Sequence, residues 1–303
     1  MAARQMSVSS ENAEQEMDYL RFGYSYEDIQ NMAQNILKRT KHKPLLGIIC
    51  GSGLGGLADL VDQPDIIPYS TIPDFPVSTV PGHVGKLVFG LLKGKPVVLM
   101  RGRFHYYEGY PMWKVAMPVR VMKAMGITTL IVTNAAGGIN STFNRGDIMI
   151  IKDHIDLPGL TGECVLIGKN DTRFGPRFPA TVDIYDKELR DVAKQVATEL
   201  GYGHILREGT YVMIGGPTFE TVAEGKLLKM FGADAVGMST VPEAVVAKHT
   251  GIKTFGISLI TDLLAMEYDQ ATVTTHEDVL AIGQQRADDL QKLISAFVER
   301  IPL

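Results

Sequence analysis

GIICGSGLGGL, at residues 47–57, is an apolar run that breaks into four glycines around one serine. An apolar run that ends in glycines predicts a buried strand leading into a tight turn. Because glycine has no Cβ, the backbone N–H groups of such a turn can approach an anion closely, and Ser52 adds a hydroxyl. The glycine spacing matches neither a dinucleotide fingerprint nor a P-loop. The stretch therefore predicts either a phosphate site or a plain turn between a strand and a helix.

Composition and charge exclude several classes of partner. The chain has 303 residues, of which 45% are hydrophobic, and a formal net charge of −4. Because no long run of basic residues occurs, neither nucleic acid nor an anionic membrane is an expected partner. No apolar stretch approaches the ~18 residues that a membrane span needs, and the polar first residues lack the apolar core of a signal peptide. We therefore expect a cytoplasmic protein.

The two cysteines, Cys50 and Cys164, lie far apart and belong to no Cys-x-x-Cys or Cys/His pattern. This spacing argues against a zinc site and favours a reducing compartment. Since no other metal-binding motif occurs, no metal is expected in the site.

Predicted strands and helices alternate along the chain, without an internal repeat or a Pro- or Ser-rich linker. This alternation predicts an α/β fold in which helices flank one mixed, largely parallel central sheet. Residues 21–303 are expected to form a single domain. Residues 1–20 are polar and have no apolar periodicity, which predicts a flexible tail.

Predicted element boundaries place polar residues relative to this sheet. A β-branched strand at 127–133 is followed by small residues that predict a turn at 134–138. The segment 158–179 is long, polar and glycine-bearing, which is typical of a functional loop or of a contact with a neighbour. The other predicted strands lie at 66–69, 148–152, 209–214, 233–237 and 253–260, with a hairpin at 86–100. The predicted helices are one that Ser25 caps, four at 112–125, 186–201, 221–231 and 244–249, the last of these after a turn at 238–243, and a final helix that Thr275 caps.

Four groups of polar residues come just after predicted strands. They are Ser52, Arg103 with His105, Asn134, and Ser239. In an open α/β sheet, ligands bind beyond the carboxyl ends of the strands. A guanidinium fork, an imidazole and two hydroxyls suit phosphate oxygens. Each residue alone is equally compatible with a structural role, but the convergence of the four groups indicates a phosphate site.

A second group of residues predicts a pocket for a planar heterocycle that carries N–H donors. Phe219 and Glu220 follow a Gly-Gly-Pro turn, Val236 and Met238 offer apolar walls, and Asp262 follows the last predicted strand. As an alternative, Glu220 caps the helix that begins near Thr221. No nucleophile–base pair of the protease or esterase type occurs, so phosphate itself is the expected reactant.

Six ordered motifs are distributed along the chain: CGSGLGG at 50–56, TVPG at 79–82, GRFHYYEG at 102–109, TNAAGG at 133–138, GMSTVPE at 237–243 and SLIT at 258–261. Together they resemble the motifs of the trimeric, low-molecular-mass purine nucleoside phosphorylases. The resemblance runs from about residue 24 to residue 303, over nearly the whole chain.

The resemblance implies the nucleoside phosphorylase fold and a role for each matching residue. A purine nucleoside and inorganic phosphate are the implied substrates, phosphate is a co-substrate, and no cofactor is expected. Phe178 is implied to reach over the ribose of a neighbouring subunit in a homotrimer. The implied phosphate ligands are Ser52, Arg103, His105, the backbone of Ala135, and Ser239; the ribose ligands are Tyr107, Met238 and His276; the base ligands are Phe219, Glu220, Val236 and Asp262; and the catalytic residues are His105, Glu220 and Asp262.

One position departs from the family pattern. After SLIT, the animal-type members of this family have Asn followed by Lys, whereas this chain has Asp262 and Leu263. An Asn amide offers both a donor and an acceptor to a 6-oxopurine, whereas an ionised Asp only accepts and favours a 6-amino group. A protonated Asp262, sharing a proton with Glu220, would still donate to N7. We therefore expect inosine and guanosine to be cleaved and adenosine to be accepted as well.

Two alternatives follow from the same residues. A methylthioadenosine phosphorylase also needs an acceptor for a 6-amino group, but His276 at the implied 5′-hydroxyl position argues against it. A catalytically silent nucleoside-binding protein on the same fold is the other alternative, and the presence of Arg103, His105, Glu220 and Ser239 argues against that.

Overall fold

The computed structural model describes residues 23–52, 54–80, 84–270 and 275–303. The tail predicted at residues 1–20 lies outside the described residues. Among the described helices, none combines the length and the apolar character that crossing a membrane requires.

One mixed sheet of nine strands forms the centre of the described chain. Its order is β2-β3-β4-β1-β5-β8-β7-β6-β9, and β9 also pairs with β5, so the last five strands close into a ring. Five of the nine pairings are parallel, which confirms a mixed α/β sheet. The strands are β1 Leu46–Cys50, β2 Asp62–Pro68, β3 Lys86–Leu92, β4 Lys95–Arg101, β5 Thr129–Gly138, β6 Ile148–Asp156, β7 Leu206–Met213, β8 Ala235–Gly237 and β9 Lys253–Leu263.

Helices cover this sheet, and their first turns follow the sequence signals. Ser25, Thr221 and Thr275 each cap a helix through a capping box with the acidic residue three positions later. Because Thr221 is the cap, the alternative that Glu220 caps this helix is wrong. The helices are α1 Tyr26–Leu37, α2 Met112–Val115, α3 Met117–Ala124, α4 Lys187–Glu199, α5 Val222–Met230, α6 Val241–His249 and α7 His276–Arg300.

The central strands are buried on both faces because helices pack on each side. In β1, Ile49 belongs to the core cluster that includes α1 and α3, whereas its neighbour Ile48 belongs to the cluster that includes α4 and α7. Val132 and Ile131 of β5 divide in the same way. Successive side chains of a strand point to opposite faces, so this division places β1 and β5 in the middle of the molecule.

The turn predicted at residues 134–138 is wrong, since these residues continue β5. Asn134 pairs with Ser258 and Ala135 with Leu259, so β9 extends the parallel ladder past Thr133. The small residues serve close packing and not a turn: a Cβ on Gly137 would lie 2.6 Å from Cδ1 of Leu264. The same extension includes Asp262 within β9, where the sequence predicted it beyond the strand.

Two predicted helix boundaries also differ from the structure. The helix predicted over 112–125 is two helices, α2 and α3, which meet at Ala116. Pro118 lies in the first turn of α3, where its missing N–H is tolerated but where it could not continue a preceding helix. Pro242 has the same position in α6, which begins at Val241, three residues before the predicted start.

Candidate active site

A cavity of about 460 Å³ lies where β1, β4, β8 and β9 end, beside the second half of β5. This is the edge at which open α/β sheets bind ligands. With the exception of Phe178, the cavity brings together all the predicted site residues. Those that line it are Ser52, Arg103, His105, Tyr107, Ala135, Phe219, Glu220, Val236, Met238, Ser239, Asp262 and His276.

The end of β1 is held tightly against β5, which positions Ser52. The backbone N–H of Gly51 donates to Oγ1 of Thr133 over 2.9 Å. A Cβ at Gly51 would lie 2.6 Å from the carbonyl oxygen of Thr133, so no larger residue fits there without a backbone shift. The strand predicted from the opening stretch is confirmed. Gly51 at its end allows the backbone to approach strand β5 closely beside the cavity.

Arg103 is the largest fully buried side chain, with 1% of its surface exposed. Its Nε donates to Oε1 of Glu243 over 2.8 Å, and its Nη1 donates to the carbonyl oxygen of Thr133 over 2.6 Å and to Oγ of Ser239 over 3.2 Å. A buried guanidinium is stable only when it is paired and hydrogen-bonded. Glu243, from the first turn of α6, therefore fixes the cation of the site.

Ser239 reaches the cavity from a strained turn. Thr240, the next residue, has φ +75° and ψ −46°, and the N–H of Val241 donates to the carbonyl oxygen of Ser239 over 2.8 Å. This is a γ-turn, and a positive φ is costly for a β-branched residue. Nδ2 of Asn134 donates to Oγ1 of Thr240 over 2.9 Å and stabilises the turn. Strain of this kind persists where the surrounding structure enforces it, as here beside Arg103.

His105 is oriented by a carboxylate that sequence reasoning did not single out. Oε1 of Glu108 accepts from the backbone N–H of His105 and lies 2.9 Å from its Nδ1, while Oε2 accepts from the N–H and the hydroxyl of Thr79 at 2.7 Å each. Burial alone would raise the pKa of Glu108, but the hydrogen bonds from His105 and Thr79 lower it to about 2. Burial also lowers the pKa of His105. Glu108 therefore fixes the ring with Nε2 directed away from it.

The opposite end of the cavity holds two carboxyl groups. Burial, assisted by the nearby charge of Asp262, raises the pKa of Glu220 to about 7. Asp262 is 5% exposed, and its Oδ1 accepts from Oγ1 of Thr261 over 2.9 Å. Val236 is buried beside them, and Phe219 is 44% exposed at the rim. Apolar walls around two carboxyl groups can recognise a planar heterocycle that carries N–H donors.

The predicted ribose residues line the same cavity. The ring of Tyr107 stacks on His105 with 4.7 Å between centroids, and burial raises the pKa of Tyr107 to about 12. Met238 packs against Gly216. A Cβ added at Gly216 would lie 2.4 Å from Sδ of Met238. His276 begins α7, and its Nε2 is buried without a hydrogen-bond partner among the described residues. Since Thr275 is the cap, His276 is available to line the cavity.

Phe178 is the one predicted site residue that this cavity does not contain. Its side chain is 88% exposed, in the long loop before α4. Its role at a neighbouring subunit stays a prediction.

Sequence reasoning missed several residues that frame the site. Glu108, Glu243 and Thr261 all stand inside the quoted motifs, but a charge or hydroxyl within a motif does not reveal which partner it will face. Asn134 was grouped with phosphate ligands, whereas the structure uses its amide to support the turn at Thr240. Across the described ranges, no three His, Cys, Asp or Glu residues are grouped so that they could hold a metal ion.

The family model of the phosphorylase superfamily matches residues 45–299 of this chain. The chain therefore belongs to the phosphorylase superfamily.

Its relatives narrow this assignment. Purine nucleoside phosphorylase of Bos taurus is 54% identical over 93% of this chain and 97% of that protein, and purine nucleoside phosphorylase 1 of Geobacillus stearothermophilus is 49% identical over 90% and 97%. The structure of Schistosoma mansoni purine nucleoside phosphorylase in complex with adenosine has a TM-score of 0.88 at 48% identity, over 91% of this chain and 98% of that one. Within the superfamily, the chain groups with the purine nucleoside phosphorylases, which are pentosyltransferases. This confirms the resemblance to purine nucleoside phosphorylases, and the trimeric state stays a prediction.

Proposed function

We propose that this enzyme cleaves the N-glycosidic bond of purine ribonucleosides and deoxyribonucleosides with inorganic phosphate, giving the free base and the pentose 1-phosphate. The observation that carries the proposal is one cavity with Arg103, His105 and Ser239 at one end and Glu220 with Asp262 at the other. The Schistosoma enzyme that this chain resembles has been solved with inosine as well as with adenosine.

Phosphate binds at the end where the protein supplies donors. Ser52, Arg103, His105, the backbone of Ala135, and Ser239 hold it by charge-assisted hydrogen bonds. An oxygen of phosphate forms the new bond to C1′, and the electron pair of the breaking C1′–N9 bond passes to the purine. The transition state has oxocarbenium character, as in other glycosyl transfers, so the adjacent phosphate anion stabilises it. The atoms of nucleoside and phosphate account for both products, and we propose that no cofactor takes part.

At the base end, one proton shared between Glu220 and Asp262 matches two kinds of purine. With the proton on Asp262, the ionised Glu220 accepts from N1–H of a 6-oxopurine, and Asp262 donates to its O6 or N7. With the proton on Glu220, that group donates to N1 of a 6-aminopurine, and ionised Asp262 accepts from the 6-amino group. The pKa of about 7 for Glu220 supports a proton that changes place near neutral pH. Inosine, guanosine and adenosine are therefore all proposed substrates.

The ribose lies between Tyr107, Met238 and His276, and His276 takes the 5′-hydroxyl. We also propose that the enzyme is a homotrimer in which Phe178 of each subunit covers the ribose of its neighbour. The 88% exposure of this phenylalanine supports the proposal, since a large apolar side chain in solvent is typical of an interface. The two free cysteines, Cys50 and Cys164, support a cytoplasmic location.

Phosphorolysis of inosine, guanosine, adenosine and methylthioadenosine, with and without phosphate, tests the proposed function. Release of free base must require phosphate, and adenosine must react alongside inosine. If phosphate released no free base from any of these nucleosides, the alternative of a catalytically silent nucleoside-binding protein would be correct. If methylthioadenosine were cleaved faster than adenosine, the alternative of a methylthioadenosine phosphorylase would be favoured instead.

The trimer is tested separately by the mass of the enzyme in solution and by Phe178→Ala. We expect a trimer whose KM for inosine rises about tenfold in the variant, because one buried aromatic contact is lost. A monomer with full activity would contradict the arrangement.

A further inference from the structure

A second cavity, of about 550 Å³, lies away from the active site, between the beginning of α1, helices α2 and α3, the end of α6 and the loop before α4. None of the residues predicted for catalysis or substrate binding lines it. Its volume is in the range of sites that bind small molecules.

Arg120 of α3 places on this cavity a positive charge that has no hydrogen-bonded acceptor among the described residues. Within the part of the chain that the structure describes, its guanidinium makes no hydrogen bond or ion pair, and Nη1 is fully buried. Its contact is the ring of Phe174, whose centroid lies 4.6 Å from Cζ. Burial lowers the pKa of Arg120 to about 10. A desolvated guanidinium without an acceptor is costly, so an anion at this position would stabilise it.

The acidic residue on the cavity wall, Asp171, attracts Arg120 electrostatically but forms no hydrogen bond or ion pair with it. Asp171 has both carboxylate oxygens on Arg173, at 2.6 to 3.0 Å, and Arg173 also pairs with Glu27. The cavity wall is therefore cationic where Arg120 lies.

His249, the last residue of α6, supplies a second orphaned group. It is 3% exposed, and its Nε2 lies 3.1 Å from both Oδ1 of Asn170 and the carbonyl oxygen of Pro176. The amide of Asn170 is oriented by its own donation to the carbonyl oxygen of Gly175 over 2.9 Å, so its oxygen faces the histidine. Nε2 therefore carries the proton, and Nδ1 is a buried acceptor without a donor among the described residues.

Aromatic side chains form the remaining walls. Trp113 packs edge-on against Tyr24 with 5.1 Å between centroids, and Tyr26 lies 5.0 Å from Phe174. Flat apolar walls of this kind suit a planar ring.

We propose that the second cavity binds a small planar acid, of the class of aromatic or heterocyclic carboxylates. Its carboxylate pairs with Arg120, its ring lies between the aromatic walls, and a hydroxyl or N–H on the ring donates to Nδ1 of His249. The proposal concerns a site separate from the one that cleaves nucleosides, and it stands whichever nucleosides that site accepts.

Trp113 is the one tryptophan of the chain, so its emission reports this cavity directly. The intact enzyme is titrated with 3-hydroxybenzoate, benzoate and phenol, first alone and then with saturating hypoxanthine and phosphate in the active site. We expect a saturable change with 3-hydroxybenzoate that hypoxanthine does not abolish. Benzoate, which lacks the donor, should bind about fivefold more weakly, and phenol, which lacks the charge, at least about tenfold more weakly.

Arg120→Met should raise the Kd of 3-hydroxybenzoate at least about tenfold, because the charge-assisted pair is lost. Arg300→Met, the same change at an exposed position near the end of α7, should leave it within about twofold. Unchanged KM for inosine shows that both variants are folded. The proposal is overturned if no probe gives a saturable change, if the three probes bind equally well, or if hypoxanthine displaces them. The comparison of probes on the unmodified enzyme decides the matter even if Arg120→Met does not fold.

Discussion

The two ends of the active-site cavity differ in how their charged groups are paired. At the proposed phosphate end, the charged groups already have partners inside the protein: Arg103 pairs with Glu243, and Glu108 accepts hydrogen bonds from His105 and Thr79. At the base end, Glu220 and Asp262 are two acids placed close enough for one to raise the pKa of the other. We therefore expect the proposed phosphate end to keep a fixed charge, whereas the proposed base end can move a proton to suit its ligand.

Removing the cation of the phosphate end should have the largest effect. Arg103→Met is expected to lower kcat/KM for phosphorolysis of inosine about 10³-fold, since a preorganised charged donor is lost. It should also lower the free energy of unfolding by about 3 kcal/mol, because Glu243 stays buried without its partner. Steady-state kinetics and urea unfolding measure the two effects.

A second substitution separates these two losses. Adding Glu243→Gln to Arg103→Met should restore most of the stability and none of the activity. The matched control is Arg101→Met, two residues earlier, where a partly exposed arginine pairs with Asp59. It should change the free energy of unfolding by no more than about 1 kcal/mol and kcat/KM by no more than the corresponding factor of about five. An Arg103→Met enzyme with normal phosphate dependence would show that the two ends have been assigned wrongly.

At the base end, Asp262→Asn should change specificity more than it changes rate. An amide cannot exchange a proton with Glu220, so the acceptor for a 6-amino group is no longer available in its charged form. We expect the ratio of kcat/KM for adenosine to that for inosine to fall about 10²-fold. Asp62→Asn, the same change on exposed β2, is the control and should leave the ratio unchanged. An unchanged ratio in Asp262→Asn would show that Asp262 does not face the base.

The pH dependence of stability should have opposite signs at the two ends. Glu220, with its pKa raised to about 7, binds a proton more tightly in the folded state, so its contribution is complete below the unfolded pKa and is lost as pH rises through about 7. Glu108, with its pKa lowered to about 2, contributes above the unfolded pKa, and that contribution is lost as pH falls towards about 2.

Urea unfolding at pH 5 and pH 8 measures the first of these effects. The wild-type enzyme should lose on the order of 2 kcal/mol more between these two pH values than Glu220→Gln, which has no carboxyl to titrate. Equal losses would mean that Glu220 is ionised in the folded enzyme at pH 5.

The smallest effect is expected from Glu108→Gln. The substitution keeps the size of the side chain but weakens the hydrogen bonds that hold His105 and Thr79. We expect the KM for phosphate to rise about tenfold with kcat nearly unchanged, as for a positioning residue. A lower kcat at an unchanged KM for phosphate would assign Glu108 a direct part in the reaction.

Residue types and their order along the chain were sufficient to predict the α/β class, capped helices and two groups of residues that converge on the cavity, whereas Tyr107, Ala135 and His276 were implied by the family resemblance. What the sequence could not show is which long-range partner each group meets. Residues 134–138 look like a turn because they are small, yet β9 pairs with them and makes them a strand. Glu243 looks like an ordinary acid in the first turn of a helix, and its pairing with Arg103 depends on contact across the fold.

Helix α6 spans nine residues and contacts both cavities: Glu243 holds Arg103, which lines the active-site cavity, and His249 lines the second cavity. The two residues are six positions apart, a rise of about 9 Å along a helix. A molecule that shifts this helix on binding at one end must alter affinity at the other. Thermodynamic linkage then makes the effect reciprocal, so that phosphate changes the affinity of the second ligand by the same factor by which that ligand changes the affinity of phosphate.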